Sequence, residues 1–154
     1  MDRTTIQDVV YQTCLLLDDK NFDAFLDLCD EGFRYSITTH SPEIRKDMIW
    51  LDHDKKGMQN LFTQLPRHNS DHSPITRHAT VYQVEVDEGR KEASVVSALQ
   101  VYKTDLDGGA TTLFAVGKYV DTIKLDSNSG KPRLAKRVVK LDTRMLGIGY
   151  HIPF

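Results

Sequence analysis

Val95-Val96-Ser97-Ala98-Leu99-Gln100-Val101-Tyr102 and Leu113-Phe114-Ala115-Val116-Gly117-Lys118-Tyr119-Val120 read as two successive strands with apolar residues on both faces. Side chains along a strand point alternately to opposite sides, so a sheet with one wet face shows clean apolar and polar alternation. Here Val95, Ser97, Leu99 and Val101 alternate with Val96, Ala98, Gln100 and Tyr102. Leu113, Ala115, Gly117 and Tyr119 alternate with Phe114, Val116, Lys118 and Val120. Both faces need cover. A chain of 154 residues can cover one with its own helices, which leaves the other for a second subunit. The competing arrangement is a sandwich that buries both faces within one chain.

Outward from these two strands, residues 77–142 hold four strands separated by Glu88-Gly89-Arg90, Asp107-Gly108-Gly109 and residues 127–132. Each gap has the Gly or Pro chemistry of a hairpin turn, so neighbours in sequence should pair antiparallel. Upstream the period changes to that of a helix. Ile6, Val9, Val10, Cys14 and Leu17 form a core-facing stripe that Thr4 or Thr5 can cap. Asn21 can cap a second helix carrying Phe22, Phe25, Leu26, Leu28 and Cys29, ending near Gly32. Phe33, Tyr35 and Ile37 then start a strand, and a short strand over residues 47–51 precedes a helix capped by Asp54 and closed by Pro66. Helices first and a long, mainly antiparallel sheet afterwards is an α+β pattern, expected as one domain over residues 1–154.

Composition narrows the function. No apolar run approaches the length of a bilayer span, and the N-terminus leads into a helix instead of a secretory signal, so a cytoplasmic protein without a membrane partner is expected. Residues 1–60 carry 7 Lys and Arg against 12 Asp and Glu, and residues 61–154 carry 13 against 10. The basic cluster Lys131, Arg133, Lys136, Arg137 and Lys140 is interrupted by Leu134, Val138, Val139 and Leu141 at strand spacing. It reads as a solvated or interfacial strand edge, with no nucleic-acid partner. Cys14 and Cys29 both fall in amphipathic helical patterns, where reduced cysteine acts as a small apolar residue.

Three features invite a chemical reading. Tyr35, Asp52, His53, His78, Tyr82 and Tyr119 could converge in a pocket for an isomerase or dehydratase, provided that a base is tuned near neutrality. Asp52 and Asp54 flank His53 before a helix, where an exposed cap is the simpler explanation. His68, Asp71, His72 and His78 include a His-x-x-x-His spacing, but Asn69, Ser70, Ser73 and Pro74 disfavour the helix that would align the imidazoles, and a surface loop is expected. The tail Gly147-Ile148-Gly149-Tyr150-His151-Ile152-Pro153-Phe154 is rich in large apolar residues and should dock in a groove on its own helices or on a neighbour. Trp50, between Ile49 and Leu51, suits either a core or a contact.

The string Gly117-Lys118-Tyr119-Val120-Asp121, followed by Leu134-Ala135-Lys136-Arg137-Val138-Val139-Lys140-Leu141-Asp142, resembles the closing strands of the small (β) subunits of Rieske-type aromatic-ring-hydroxylating oxygenases. Arg77-His78 at a strand start and Phe33-Arg34-Tyr35 after two helices fit the same resemblance. It implies a nuclear-transport-factor-2-like, or cystatin-like, cone: helices in the concavity of a curved sheet. It also implies a non-catalytic, structural subunit of a dioxygenase that oxidises an aromatic compound, such as an aromatic acid. The implied partners are an α subunit carrying a Rieske [2Fe-2S] cluster and a mononuclear iron, and copies of this chain in a trimer within a hexamer of three α and three β. No metal, cofactor or catalytic residue is expected here, and no Cys-x-His or Cys-x-x-His pair for a cluster occurs. Trp50, Arg77, His78, Tyr119, Asp121, Arg137, Asp142 and Phe154 are the expected interface or structural residues. Arg137, on the strand face of Val139 and Leu141, should be desolvated and paired with Asp121 or Asp142.

Overall fold

The computed structural model describes residues 1–68, 70–146 and 153–154, apart from the His68 side chain. Its elements run α1 (Arg3–Asp18), α2 (Phe22–Asp27), β1 (Cys29–Ser41), β2 (Lys46–Asp54), α3 (Lys55–His68), β3 (Ile75–Asp87), β4 (Glu92–Thr104), β5 (Thr111–Leu125) and β6 (Pro132–Leu141). The four expected C-terminal strands form an antiparallel meander. Lys91, Gly108, Gly109 and Gly130 take positive φ in its turns, a region that glycine enters without steric cost. The six strands form one curved, open sheet in the order β2-β1-β6-β5-β4-β3.

Closing that order requires β1 to pair β6 in parallel, with Tyr35 opposite Arg137 and Ile37 opposite Val139. No hairpin turn announces such a pair, because its strands are far apart in sequence. Register shifts in all five neighbouring pairs, including one between Val101 and Tyr102, mark bulges or irregularities that bend the sheet. The helices lie on one side of it, α1 against β3 and β6, α3 against β1 and β2. Ile6, Val9, Val10, Cys14 and Leu17 are buried there, the stripe expected of α1.

Local boundaries differ from the sequence reading in four places. Asp2, not Thr4 or Thr5, caps α1, its carboxylate accepting the Thr5 backbone N–H at 2.9 Å. α2 stops at Asp27, and Cys29 opens β1 with its thiol donating to the Phe25 carbonyl, so the cysteine is buried but not helical. Asp52 and His53 lie in β2 rather than in a loop, while Asp54 caps α3 as expected by accepting the Gly57 N–H at 2.8 Å. Pro66 sits inside the last turn of α3. Both cysteines are free.

Candidate assembly surface

Residues on the inward side of β4, β5 and β6 are buried by the chain itself. Arg137, Asp121 and Tyr119 are among its least exposed side chains, at 0%, 1% and 0%. The Arg137 Nε and one Nη donate to the two Asp121 carboxylate oxygens at 2.9 and 3.0 Å, and the same Nη donates to the Thr13 hydroxyl of α1 at 3.0 Å. The guanidinium carbon lies 3.7 Å from the Tyr119 ring centroid, a cation–π contact in a dry setting. Burial works against the Arg137 cation, but the Asp121 charge and hydrogen bonds, together with the Tyr119 and Cys14 side chains, outweigh it and hold the guanidinium protonated. Burial pushes the Asp121 carboxyl up from its usual range, and Arg137 draws it partly back. The fork-to-fork pair occupies both Asp121 oxygens and two of the three Arg137 nitrogens, leaves the other Nη without a hydrogen-bond partner among the described residues, against the Tyr119 ring, and is a geometry lysine could not reproduce.

A second arginine ties the edge strand to α1. Arg77, 5% exposed, donates to Asp18 at 2.7 Å and to the Pro153 carbonyl at 2.6 Å. Half-burial raises the Asp18 carboxyl, against the pull of Arg77. The Tyr35 hydroxyl donates to the Phe154 carbonyl at 3.2 Å, and the Phe154 ring packs beside Phe114. Pro153 and Phe154 thus dock on their own chain; the expected docking of residues 147–152 lies outside the described residues.

The outward side of the same strands is different. Val96, Val120 and Val138 form one cross-strand row, each half-buried, and Ala98 and Val116 extend it. The next row sets Lys118 beside Lys140, both exposed, and Lys136 is exposed on the same side. The second face is therefore not a continuous apolar sheet: it is a band of valines bordered by lysines. Because β6 lies inside the sheet, its basic cluster is not a strand edge, and its members part company: Arg137 points inward while Lys136 and Lys140 point outward. Sequence reasoning passed over Lys118, Thr13 and Asp18; Lys118 could have been found by parity with Val116 and Val120, whereas the two α1 residues carry no local signal.

The remaining expected residues scatter. His78 is exposed and faces Tyr102 across the outer surface, with ring centroids 5.1 Å apart. Asp142 is exposed, so Asp121 alone of the two acids reaches Arg137, and Trp50 packs at the rim of the core beside an exposed Ile49. Tyr82 is 66% exposed, Asp52 is half-exposed and paired with Arg34 at 2.8 Å, and Tyr35 and Tyr119 are buried in the packed interior. The six candidates for an isomerase pocket do not converge, and that reading is withdrawn. Asp71 is held by Lys103 at 2.9 Å and by the Ser73 N–H, in a loop. The His68 side chain lies outside the described residues, and among those described no group of three or more His, Cys, Asp or Glu is placed to hold a metal.

A cone of this kind, with a partly apolar outer sheet, belongs to a fold that does not by itself set function. Residues 12–147 match the ring hydroxylating beta subunit family model. The methanesulfonate monooxygenase hydroxylase beta subunit of Methylosulfonomonas methylovora is 39% identical, covering 96% of this chain and 84% of that one. The beta subunit of 2-aminobenzenesulfonate 2,3-dioxygenase from an Alcaligenes species is 34% identical over 99% of both. The crystal structure of a Novosphingobium aromaticivorans chain, assigned as the beta subunit of an aromatic-ring-hydroxylating dioxygenase, superposes with a TM-score of 0.79 at 21% identity, covering 99% and 96%. The chain belongs to the ring-hydroxylating oxygenase beta-subunit family, a set of subunits of oxidoreductase complexes with an α-subunit partner.

Proposed function

We infer that this chain, as a single cytoplasmic domain, is the structural subunit of a hexamer of three α and three β subunits, in which each α partner carries a Rieske cluster and a mononuclear iron. The observation that carries this reading is the valine band of β4, β5 and β6, which the chain's own helices leave uncovered. Apolar area taken from water is worth about 25 cal/mol per Å², so a neighbour seated there gains a driving force that can offset association costs. Tyr119, Asp121, Arg137, Arg77 and Phe154 act from within: they fix the pitch of the sheet against α1 and so hold the outer band in shape. Trp50, His78 and Asp142, at the surface or rim, are the members of the set able to touch a neighbour.

In the complex the oxidation takes place on the α subunit and this chain sets how the α subunits stand relative to one another. The named relatives act on sulfonates, one of them aromatic, and an organic sulfonate is the substrate class we assign to the assembled enzyme. Co-expression with the α subunit should yield a species whose native mass equals three copies of each chain and which consumes oxygen with 2-aminobenzenesulfonate or methanesulfonate when a reductase is supplied. A stable lone chain that never binds an α subunit would contradict the reading.

A further inference from the structure

On the outward positions of β4 from Ser94 to Gln100, of β5 from Val116 to Thr122 and of β6 from Lys136 to Lys140, there are three lysines and no carboxylate. If two such faces met about a twofold axis, each side would bring only lysines, and none of them would find a carboxylate opposite. This face is therefore unsuited to a sheet-on-sheet dimer. A closed ring avoids the conflict, because its contacts join two different patches, one from each neighbour. A patch of opposite sign exists on the helical side. A cleft of about 580 Å³ between α2, α3 and the start of β1 is lined by Asp23, Asp27, Glu31 and Asp54 against only Lys55 and Lys56. Glu31 projects from it with its side chain 96% exposed.

We propose that the valine and lysine face of β4, β5 and β6 docks on the acidic α2–α3 cleft of a second copy of this chain, head to tail around a threefold ring. The inference rests on the trimer proposed above and names its two surfaces. Valines supply the buried area; Lys118 and Lys140, facing Asp27 and Glu31 of the neighbour, set register and direction. Opposite charges across an interface chiefly select the partner and steer the encounter, while like charges placed in contact reject it.

The test is a charge swap read by native mass and sedimentation of the full complex with its α subunit and of this chain alone. Lys118→Glu with Lys140→Glu should weaken self-association about 100-fold, as should Asp27→Lys with Glu31→Lys, and the four changes together should restore it. All four side chains are exposed, so melting temperatures should stay near that of the parent chain. Raising the ionic strength from about 0.05 to about 0.5 M should weaken the unaltered trimer in the same sense. Self-association indifferent to the lysine changes overturns the proposal. So does failure of the combined variant to recover self-association; loss of α binding by the lysine variant, with self-association unchanged, would overturn it too and assign the face to the α subunit. The hexamer reading fails by a different sign, loss of α binding by the unaltered chain.

Discussion

On the inward side of β5 and β6, charged groups are few, buried and paired within the chain, Arg137 with Asp121; on the outward side, one residue further along, they are lysines, exposed and all of one sign. Arg137 and Lys136 are sequence neighbours on opposite faces, one locked to Asp121 and Thr13, the other free in solvent. The inner face solves its electrostatics within the chain, whereas the outer face leaves both its apolar area and its charge to be met from outside. A sheet whose two sides obey such different rules is half core and half surface for assembly.

The difference can be broken most severely at Arg137. Arg137→Leu strands the Asp121 carboxylate in the interior and should cost about 3–5 kcal/mol in chemical denaturation, while Val138→Thr, next in the chain but outward, should stay within about 1 kcal/mol. Removing both charges with Arg137→Met and Asp121→Leu should recover most of the loss, since a buried pair is weak evidence of net stability. If Arg137→Leu is as mild as Val138→Thr, the two faces are not distinct.

Gly117 tests how closely β5 and β6 are joined. A Cβ there would come within 2.2 Å of the Lys140 carbonyl oxygen and 2.9 Å of the Leu141 Cα, both backbone and unable to swing aside. Gly117→Ala should destabilise the chain by about 1–3 kcal/mol in thermal unfolding and shift amide resonances along β6.

The smallest effect concerns Asp71. The Ser73 backbone N–H and then Lys103 lower its carboxyl to about 2 from an ordinary 3.8. A depressed acid stabilises the fold above its unfolded pKa, and that contribution is lost as the pH falls through the folded one. Asp71→Asn should therefore cost under about 1 kcal/mol near neutrality, after solvent screening, and nothing below about pH 2. Stability curves of the two proteins should converge between about pH 4 and about pH 2, and parallel curves would remove Asp71 from the account.

Much of this architecture was legible in residues. Alternation marked β4 and β5 to within a few positions, and Gly or Pro turns ordered the meander, because hairpins are local. The parallel β1–β6 pair was not legible, since no turn chemistry encodes contact between strands so far apart in sequence. Cys29 was misplaced on a helix because Phe25, Leu26, Leu28 and Cys29 satisfy helical spacing across the point where α2 ends. Parity with Val139 and Leu141 marked Arg137 as desolvated and in need of an acid such as Asp121 or Asp142, and only the register of β5 on β6 sets Asp121 opposite it. The apolar outer face was read too strongly: Lys118 and Gln100 were visible, but their relation to Lys136 and Lys140 depends on cross-strand pairing.

The central claim is that a neighbouring subunit covers the outward valines of β4, β5 and β6. Thiol labelling of a Val120→Cys variant tests it directly, because Cys14 and Cys29 are buried and burial pushes the Cys29 thiol up to about 12, leaving a silent background. The new thiol should label readily in the dissociated chain and be protected in the complex with α subunits. Equal labelling in both would contradict the account.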